Sequence, residues 1–523
     1  MNEFWHMQIH PSAPEEAKHW ALEAIKKKVI GLDIGLNEEK LSPEDQQIWS
    51  KMKEKALDEW KEHEWKKWNE WYDKKKKFEA GPEPKALKDF ISKDLNNAIV
   101  LLRAGSIPIA LVEVVSPYYF ESEPKDELWF RHRRKIEVLD TYKNFERNYL
   151  KKFTPPSQGT LGKLTDSKKP TYRFIKFWLT KINQEAYMKH VEQILNKFHQ
   201  IILYGPPGTG KTYLAKKVAA KLLGLPPEAG VDEKHPQHKE FEHTQFGKNE
   251  NSNAKGKWAI VQFHPSYNYE DFVRGIKITP KGDGISYESV NKIFAKMCEE
   301  GQKNKEENYV LIIDEINRAN LAAVLGELIY ALEYRSEAVD TPYEVKDNSK
   351  LIVPPNLYII GTMNTADRSI GHIDYALRRR FAFVQVLPEE NVIEQYYDNE
   401  EAKNVALKLF KSVKELFDEK NGYLSPDYHK EDVKIGHSYF LVDTSKDVEE
   451  QIEELAYKFA YQVFPLLKEY YKDGVLIPKD ESIKFKELNV SVTESIKPEE
   501  IVKKIENLYS PKKSESSEED KQE

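Results

Sequence analysis

Hydrophobic and polar positions change their spacing along the first part of the chain, and the changes predict an α+β unit. Residues 98–102 and 107–115 are short runs rich in β-branched side chains, which predict strands. Residues 15–28 have the apolar spacing of a helix. Charged residues dominate 43–78, which predicts one long helix or a helix pair ending at Gly81-Pro82.

The pattern changes after residues 153–171, a stretch of Thr, Pro, Ser, Gly and Lys that is the best linker candidate. From residue 200 to residue 385, apolar strands alternate with helices, which is typical of a parallel α/β sheet. The last residues are low in complexity and predict a disordered tail. We therefore expect these segments: a domain at 1–150 with a charged helical insert at 43–90, a linker with a lead-in helix at 151–184, an α/β subdomain at 185–385, a helical subdomain at 386–508 and a tail at 509–523.

Composition narrows the class of protein. The 80 Lys and Arg against 87 Asp and Glu leave a net charge of −7, so any nucleic-acid site must be a local patch. The single cysteine, Cys298, excludes a disulfide framework and fits a reducing setting, so we expect a cytoplasmic protein. With no secretory signal and no run of ~18 apolar residues, we expect no membrane partner.

One loop has the composition of a phosphate site. A predicted strand at 201–204 leads into a glycine-rich loop, and a helix follows. The glycines let the backbone curl so that its N–H groups surround a polyphosphate at the helix N-terminus. Lys211 would reach the β- and γ-phosphates, and the Thr212 hydroxyl would bind Mg²⁺. The alternative is a glycine turn with an incidental Lys-Thr pair. The candidate nucleotide-binding residues are Gly205, Pro206, Pro207, Gly208, Thr209, Gly210, Lys211, Thr212 and Tyr213.

Polar residues also end two later apolar strands. Asp314 and Glu315 follow residues 309–313, where Asp314 can hold the Mg²⁺ shell and Glu315 can activate the attacking water. Asn364 ends the next strand, where it can hydrogen-bond that water or simply cap a turn.

Three consecutive arginines, residues 378–380, follow a predicted helix. They complement the helix dipole, or one of them reaches the γ-phosphate of a neighbouring subunit, a role that suits the planar guanidinium group.

These elements, in this order, resemble the AAA+ ATPases, and over residues 185–475 they resemble the McrB family of modification-dependent restriction motors more closely. The segments that carry the resemblance are 262–272, 314–320, 363–369, 435–440 and 464–471. The resemblance implies a homo-oligomeric, commonly hexameric ring that hydrolyses GTP with Mg²⁺, translocates DNA and activates a separate McrC-like endonuclease. It also implies a nucleotide-contacting Asp367 and a trans-acting arginine at Arg379 or Arg380, between which the sequence does not choose.

The N-terminal region resembles the EVE/YTH-type, PUA-like domains in five segments: 4–11, 29–36, 101–105, 112–119 and 130–136. The expected fold class is therefore an α/β AAA+ P-loop module with a helical C-terminal lid, preceded by a small PUA-like β-barrel domain of the α+β type. The resemblance implies that aromatic side chains stack on an extruded modified DNA base while basic residues hold the flanking phosphates.

The candidates for this DNA site fall into two groups. Aromatic walls could come from Trp5, Trp20, Trp49, Tyr118 and Tyr119, although packing in the domain core is the competing role of each. Phosphate contacts could come from Arg131, Arg133 and Arg134, whose alternative is a solvated strand face. A different function stays open, namely an ATP-driven protein remodeller of the MoxR-like kind with an N-terminal adaptor.

Overall fold

The structure is a computed structural model of the 523-residue chain. The residues it describes are 3–8, 14–32, 42–43, 46, 66, 84–121, 125–126, 128, 130–149, 161–167, 169–248, 256–281, 284–366, 375–418, 422–478, 482–485 and 488–509. The chain divides into two compact units, Met1–Ala186 and Tyr187–Glu523.

Within the described residues, seven strands form the sheet of the first unit, in the order β2-β6-β4-β3-β1-β7, with β5 paired to β6. They are β1 (Phe4–Gln8), β2 (Val29–Leu32), β3 (Ile99–Ala104), β4 (Ile107–Val114), β5 (Tyr119–Phe120), β6 (His132–Thr141) and β7 (Leu161–Leu164). The predicted strands at 98–102 and 107–115 are thus confirmed. No ladder joins β2 to β7 within the described residues, so the closed PUA-like barrel stays a prediction.

Both faces of this sheet are buried. Successive side chains of a strand point to opposite sides, so neighbouring residues enter different apolar clusters. Trp5 lies in one apolar cluster, together with small residues of helix α1 (Pro14–Lys27). Phe4 lies in the other cluster, with Phe145 and Trp178. The sheet is therefore a layer between two cores.

The helices of the first unit, in chain order, are α1, α2 (Pro84–Ser92), α3 (Tyr142–Tyr149) and the first part of α4 (Pro170–Phe198). The interval expected to be a linker contains β7 and the start of α4. Strand β7 pairs antiparallel with β1, and the α4 residue Trp178 is fully buried and donates its indole N–H to Asp140 at 2.8 Å. The unit thus extends well beyond residue 150.

The second unit is built on a five-stranded sheet in the order β16-β8-β15-β12-β9, and every ladder in it is parallel. Its strands are β8 (Gln200–Gly205), β9 (Gly256–Gln262), β12 (Asn308–Asp314), β15 (Leu357–Asn364) and β16 (Ala382–Gln385). Hairpins are formed by β10 (Arg274–Lys281) with β11 (Gly284–Asn291), β13 (Ala338–Val345) with β14 (Asn348–Ile352), and β17 (Lys484–Phe485) with β18 (Val490–Ser491). The predicted parallel α/β sheet is confirmed.

Helices cover both faces of this sheet and continue into a helical C-terminal region. After α4 they are α5 (Lys211–Leu222), α6 (His238–His243), α7 (Tyr269–Phe272), α8 (Ile293–Lys303), α9 (Leu321–Leu325), α10 (Leu328–Ala331), α11 (Tyr375–Arg378), α12 (Glu390–Tyr396), α13 (Glu400–Leu416), α14 (Lys430–Val433), α15 (Val448–Lys458), α16 (Phe464–Lys472) and α17 (Pro498–Tyr509). We call residues 386–508 the lid. The lid helices bury their apolar stripes in one core of their own.

A π-helical turn, Phe459–Val463, joins α15 to α16 without a break. Pro465 occupies the first turn of α16, and a proline removes a backbone donor and crowds the carbonyl four residues earlier, which accounts for the wider turn. Among the helices of the described residues, none is long and apolar enough to cross a membrane.

Candidate nucleotide-binding site

The site lies at one edge of the five-stranded sheet, where the parallel strands end. Strand β15 lies between β8 and β12, so Asn364 is opposite Gly205 on one side and Gly361 is opposite Ile313 on the other. The carboxyl ends of β8, β12 and β15 therefore bring together the predicted glycine-rich loop, the carboxylate pair and Asn364.

The glycine-rich loop needs left-handed backbone at two positions, Gly208 (φ 76°) and Gly210 (φ 79°), where a side chain would be strained. Gly210 is the N-cap of α5, so the first N–H groups of that helix lack intrahelical partners. The loop thus offers backbone donors and a helix N-terminus at one point, which suits a polyphosphate.

Lys211 is buried and turned back onto this loop. Its ammonium group donates to the carbonyl oxygens of Gly205 at 3.0 Å and Pro206 at 2.8 Å. Burial lowers the pKa of Lys211 to about 8, against the opposing effect of the Glu315 and Asp314 carboxylates. A phosphate group would supply the negative charge that this desolvated ammonium group lacks.

Hydroxyl groups surround the carboxylate of Asp314. Its Oδ1 atom accepts from the Thr212 hydroxyl at 2.7 Å and from the Thr362 hydroxyl at 2.6 Å. Thr212 and Asp314 were predicted to hold Mg²⁺, and their two oxygen atoms do converge. Hard oxygen ligands of this kind fit Mg²⁺, which is bound through one or two protein oxygens together with substrate phosphates.

Glu315 occupies a strained backbone position, with φ 54° and ψ 46°. Its carboxylate accepts from the Asn364 side-chain amide, and Arg318 donates to its other oxygen at 3.2 Å. Asn364 therefore orients the carboxylate that was predicted to activate water. The predicted hydrogen bond from Asn364 to the attacking water stays a prediction.

A segment of the lid, residues 435–440, contacts the glycine-rich loop directly. The N–H of Gly436 donates to Pro207 O at 2.9 Å, and the N–H of Ser438 donates to Gly208 O at 3.0 Å. A Cβ atom on Gly436 would lie 1.9 Å from the carbonyl carbon of Gly208, so only glycine fits. The carbonyl groups of four successive loop residues, Gly205 to Gly208, thus all accept hydrogen bonds.

His437 lies between these two lid donors and is buried. Its Nδ1 atom accepts from the backbone N–H of Glu389 at 3.2 Å, and burial lowers its pKa to about 4. The ring is therefore neutral at pH 7. Neither His437 nor Thr362 was among the predicted site residues, because a lone histidine and a threonine within an apolar strand give no distinctive pattern.

The arginine cluster separates into two kinds of side chain. The Arg380 side chain is 8% exposed and donates to Glu333 at 2.7 Å, whereas the Arg379 side chain is 64% exposed and reaches the same carboxylate at 3.2 Å. Arg380 is thus held inside its own subunit, and Arg379 is the arginine of the pair that projects into solvent.

The remaining two predicted nucleotide contacts are Tyr213 and Asp367. Tyr213, in the first turn of α5, is 56% exposed. Asp367 lies outside the described residues, so its contact with nucleotide stays a prediction.

The predicted DNA contacts lie in the first unit and differ in exposure. Trp5 is 1% exposed and belongs to the domain core, which favours its packing role, and Trp20 packs against the same core. Tyr118 is half-buried and shares a hydrogen bond of 2.9 Å with His132 Nδ1, and Tyr119 beside it is also half-buried. Trp49 lies outside the described residues.

The structure corrects the expectation for two of the three arginines. Arg133 and Arg134 are buried, at 3% and 2% exposure. Arg133 forms a two-pronged ion pair with Asp126 at 2.7 and 2.8 Å, and Arg134 donates to the carbonyl oxygens of Phe90 and Lys93. Their guanidinium groups stabilise the fold, because desolvated cations need such partners. Arg131, in contrast, is only half-buried.

The fold and the site together define an AAA+ P-loop module with a helical lid. Residues 250–381 match the AAA domain of the dynein-related subfamily, and residues 412–475 match the α-helical lid domain of McrB. The chain is thus McrB-like in its motor region.

Comparison with curated proteins agrees with this. The chain is 35% identical over 298 residues to the type IV methyl-directed restriction enzyme EcoKMcrB subunit of Escherichia coli (strain K12), covering 54% of this chain and 57% of the relative. It is 26% identical over 218 residues to the type II restriction enzyme BsuMI component YdiS of Bacillus subtilis (strain 168), covering 35% of this chain and 55% of the relative. The chain therefore spans about half the length of each of these relatives.

Proposed function

We propose that this chain is the nucleotide-hydrolysing motor and DNA-recognition subunit of a modification-dependent restriction complex. The observation that carries the proposal is the contact between Asn364 and Glu315 beside the loop that contains Lys211. A bound nucleotide would place its γ-phosphate near this contact. The similarity to two restriction-system components adds the biological setting.

In the proposed reaction, each polar group of the site has one task. Lys211 neutralises phosphate charge, and Glu315 takes the proton of the attacking water or orients it. Asn364 keeps the Glu315 carboxylate turned toward that water. Thr212 and Asp314 would hold Mg²⁺, which when bound neutralises charge on the phosphate oxygens.

The exposed Arg379 supports a ring in which each subunit completes its neighbour's site. A guanidinium group that reaches the γ-phosphate from the next subunit stabilises the charge of the transition state, and this makes hydrolysis depend on assembly. Arg380 and Glu333 would position the segment that carries it. A hexamer is the ring that the McrB-like motor region suggests.

We further propose GTP as the preferred nucleotide and an McrC-like endonuclease as the partner that cuts DNA. Both are supported by the McrB-like motor and lid, with 35% identity to a methyl-directed restriction subunit. The first unit would be the reader of modified DNA, with Arg131 and the exposed Lys135 near phosphates and the half-buried Tyr118 and Tyr119 near a base.

Two assays on the full chain test the proposal. The first compares kcat/KM for GTP and ATP, and a preference for GTP of tenfold or more is expected. The second measures binding to duplexes with cytosine modification, adenine methylation or neither, at fixed salt, because phosphate contacts alone give affinity without specificity. A tenfold preference for one duplex, about 1.4 kcal/mol, would establish the reader.

Equal kcat/KM values for the two nucleotides, together with no DNA affinity, would favour the MoxR-like protein remodeller instead. Fragments that end at residue 150 are unsuitable for the binding assay. They would remove strand β7 of the first unit. They would also remove the α4 residues Phe174 and Trp178, which are buried in a core of the same unit.

A further inference from the structure

One buried hydroxyl group contacts both acidic residues of the site. The Thr362 side chain, in a residue 2% exposed, donates to Asp314 Oδ1 at 2.6 Å and accepts from the backbone N–H of Glu315 at 3.2 Å. A hydroxyl group has one hydrogen atom to donate. Since a carboxylate can only accept and an N–H can only donate, the direction of both bonds is determined.

These bonds act on two features that hydrolysis requires. The first is the rotation of the Asp314 carboxylate, whose Oδ1 atom also accepts from Thr212. The second is the left-handed backbone of Glu315, which is unfavourable for a residue with a side chain and needs support from its surroundings. Thr362 therefore supports the predicted metal ligand and the predicted base at once.

The position of Thr362 in strand β15 explains this reach. It lies two residues before Asn364, so both side chains leave the same face of the strand. Asn364 contacts the Glu315 carboxylate, and Thr362 contacts the Glu315 backbone. Strand β15 thus holds both the side-chain carboxylate and the backbone N–H of Glu315.

We propose that Thr362 is a positioning residue for nucleotide hydrolysis, setting the Asp314 carboxylate and the Glu315 backbone without touching the substrate. The inference rests on the proposed function, because it assumes that Asp314 and Glu315 act in hydrolysis. It differs from a purely structural role, in which the hydroxyl group only satisfies its own hydrogen bonds and the methyl group fills space.

The test compares Thr362→Val, which keeps the shape but removes the hydroxyl group, with Thr362→Ser, which keeps the hydroxyl group but removes the methyl group. For Thr362→Val we expect kcat to fall by about 10- to 100-fold, the range seen when support of a metal ligand is lost. The Mg²⁺ concentration for half-maximal activity should rise in parallel. Thr362→Ser should retain kcat within about threefold of the unmodified chain, on the same reasoning.

A direct metal readout accompanies the kinetics. Mn²⁺ binding to the nucleotide complex, followed by electron paramagnetic resonance, should weaken in Thr362→Val and not in Thr362→Ser. Nucleotide affinity without metal should stay unchanged in both variants. Thr341→Val is the matched control, because Thr341 in strand β13 is also buried and hydrogen-bonded, accepting from Arg274 of strand β10. It should leave the metal dependence unchanged.

Two results would overturn the inference. In one, Thr362→Val keeps both kcat and metal dependence; in the other, Thr362→Ser is impaired as strongly as Thr362→Val, which would assign the effect to packing of the methyl group. Failure of the proposed function is distinguishable, because the unmodified chain would then hydrolyse no nucleotide, or Lys211→Ala would leave turnover unchanged.

Discussion

Asn364 donates its side-chain amide to the carboxylate of Glu315, a residue that precedes it by 49 positions in the sequence. The contact exists because β15 runs parallel to β12 and ends at the same edge of the sheet. An amide that orients a carboxylate leaves the second carboxylate oxygen for other partners, in this case Arg318.

Glu315→Gln should lower turnover by about 10²- to 10⁴-fold, the usual contribution of a general base, while nucleotide affinity stays unchanged. The amide keeps an oxygen that can accept from Asn364 and therefore preserves the geometry. Steady-state hydrolysis and equilibrium nucleotide binding separate the two effects. The control is Glu306→Gln, which makes the same change of charge at an exposed position and should behave like the unmodified chain. If Glu315→Gln hydrolysed nucleotide as fast as the unmodified chain, Glu315 would be excluded as the base.

Lys211→Ala should weaken nucleotide binding by about 10- to 100-fold, since a hydrogen bond to a charged group contributes about 1.5–3 kcal/mol. Isothermal titration with a non-hydrolysable nucleotide measures the change. The control is Lys216→Ala on the same helix α5, where the side chain does not contact the loop carbonyl groups. If both variants bind equally well, the loop does not hold the phosphates.

Gly436→Ala should disrupt the site from the lid side, because a methyl group would overlap the Gly208 carbonyl group. Forced overpacking costs about 1–3 kcal/mol, so nucleotide affinity should fall by about 5- to 100-fold. Ser438→Ala keeps the backbone N–H that donates to Gly208 and should bind normally. Normal binding by Gly436→Ala would show that the lid does not shape the loop.

His437 should make the stability of the second unit depend on acidity. Its pKa falls from 6.5 to about 4 on burial, so between these values the unfolded chain binds more protons. The stability that neutral His437 provides is complete above pH 6.5 and is lost as the pH falls toward 4. The difference corresponds to about 3 kcal/mol of unfolding free energy.

The variant His437→Asn isolates this effect, because its amide oxygen can still accept from Glu389 N–H but does not titrate. Urea unfolding followed by circular dichroism should show the stability of the unmodified chain declining more steeply from pH 7 to pH 4. Parallel pH profiles for the two chains would contradict the assignment to His437.

Arg379 and Arg380 should fail in different ways when each is replaced by alanine. Arg379→Ala should lose about 10³-fold or more of assembly-dependent turnover at unchanged stability, as expected for an arginine that acts in trans. Arg380→Ala should lower the unfolding free energy by about 1–3 kcal/mol, because Glu333 loses its closest partner. Turnover measured against protein concentration, together with urea unfolding, distinguishes the two variants. If Arg380→Ala lost the assembly-dependent turnover and Arg379→Ala lost stability, the roles of the two arginines would be reversed.

Much of the candidate site could be predicted from sequence because its motifs are local. The loop from Gly205 to Thr212 needs glycines at fixed intervals, and Asp314 and Asn364 directly follow apolar strands. The order of the strands is not local, so the position of β15 between β8 and β12 could not be predicted, nor could the contacts of Thr362 that depend on it.

The errors in the first unit have a related cause. Arg133 and Arg134 appear in the sequence as a solvent-facing basic cluster. Inside the fold, Asp126 neutralises Arg133, and the carbonyl group of Phe90, 44 residues away, accepts from Arg134. Strand β7 is four residues long and pairs through its backbone, which leaves little trace in the side-chain pattern. Burial that depends on remote partners is invisible to periodicity.

The two lid N–H groups that donate to Pro207 and Gly208 also bear on the order in which the site forms during synthesis. Gly436 and Ser438 are synthesised about 230 residues after the loop they restrain, which at ~5–20 residues per second means a delay of roughly 10–50 s. During that interval the nascent protein carries the complete glycine-rich motif without the backbone donors that shape it. The glycine-rich loop therefore gains these two hydrogen bonds only after the lid segment has been made.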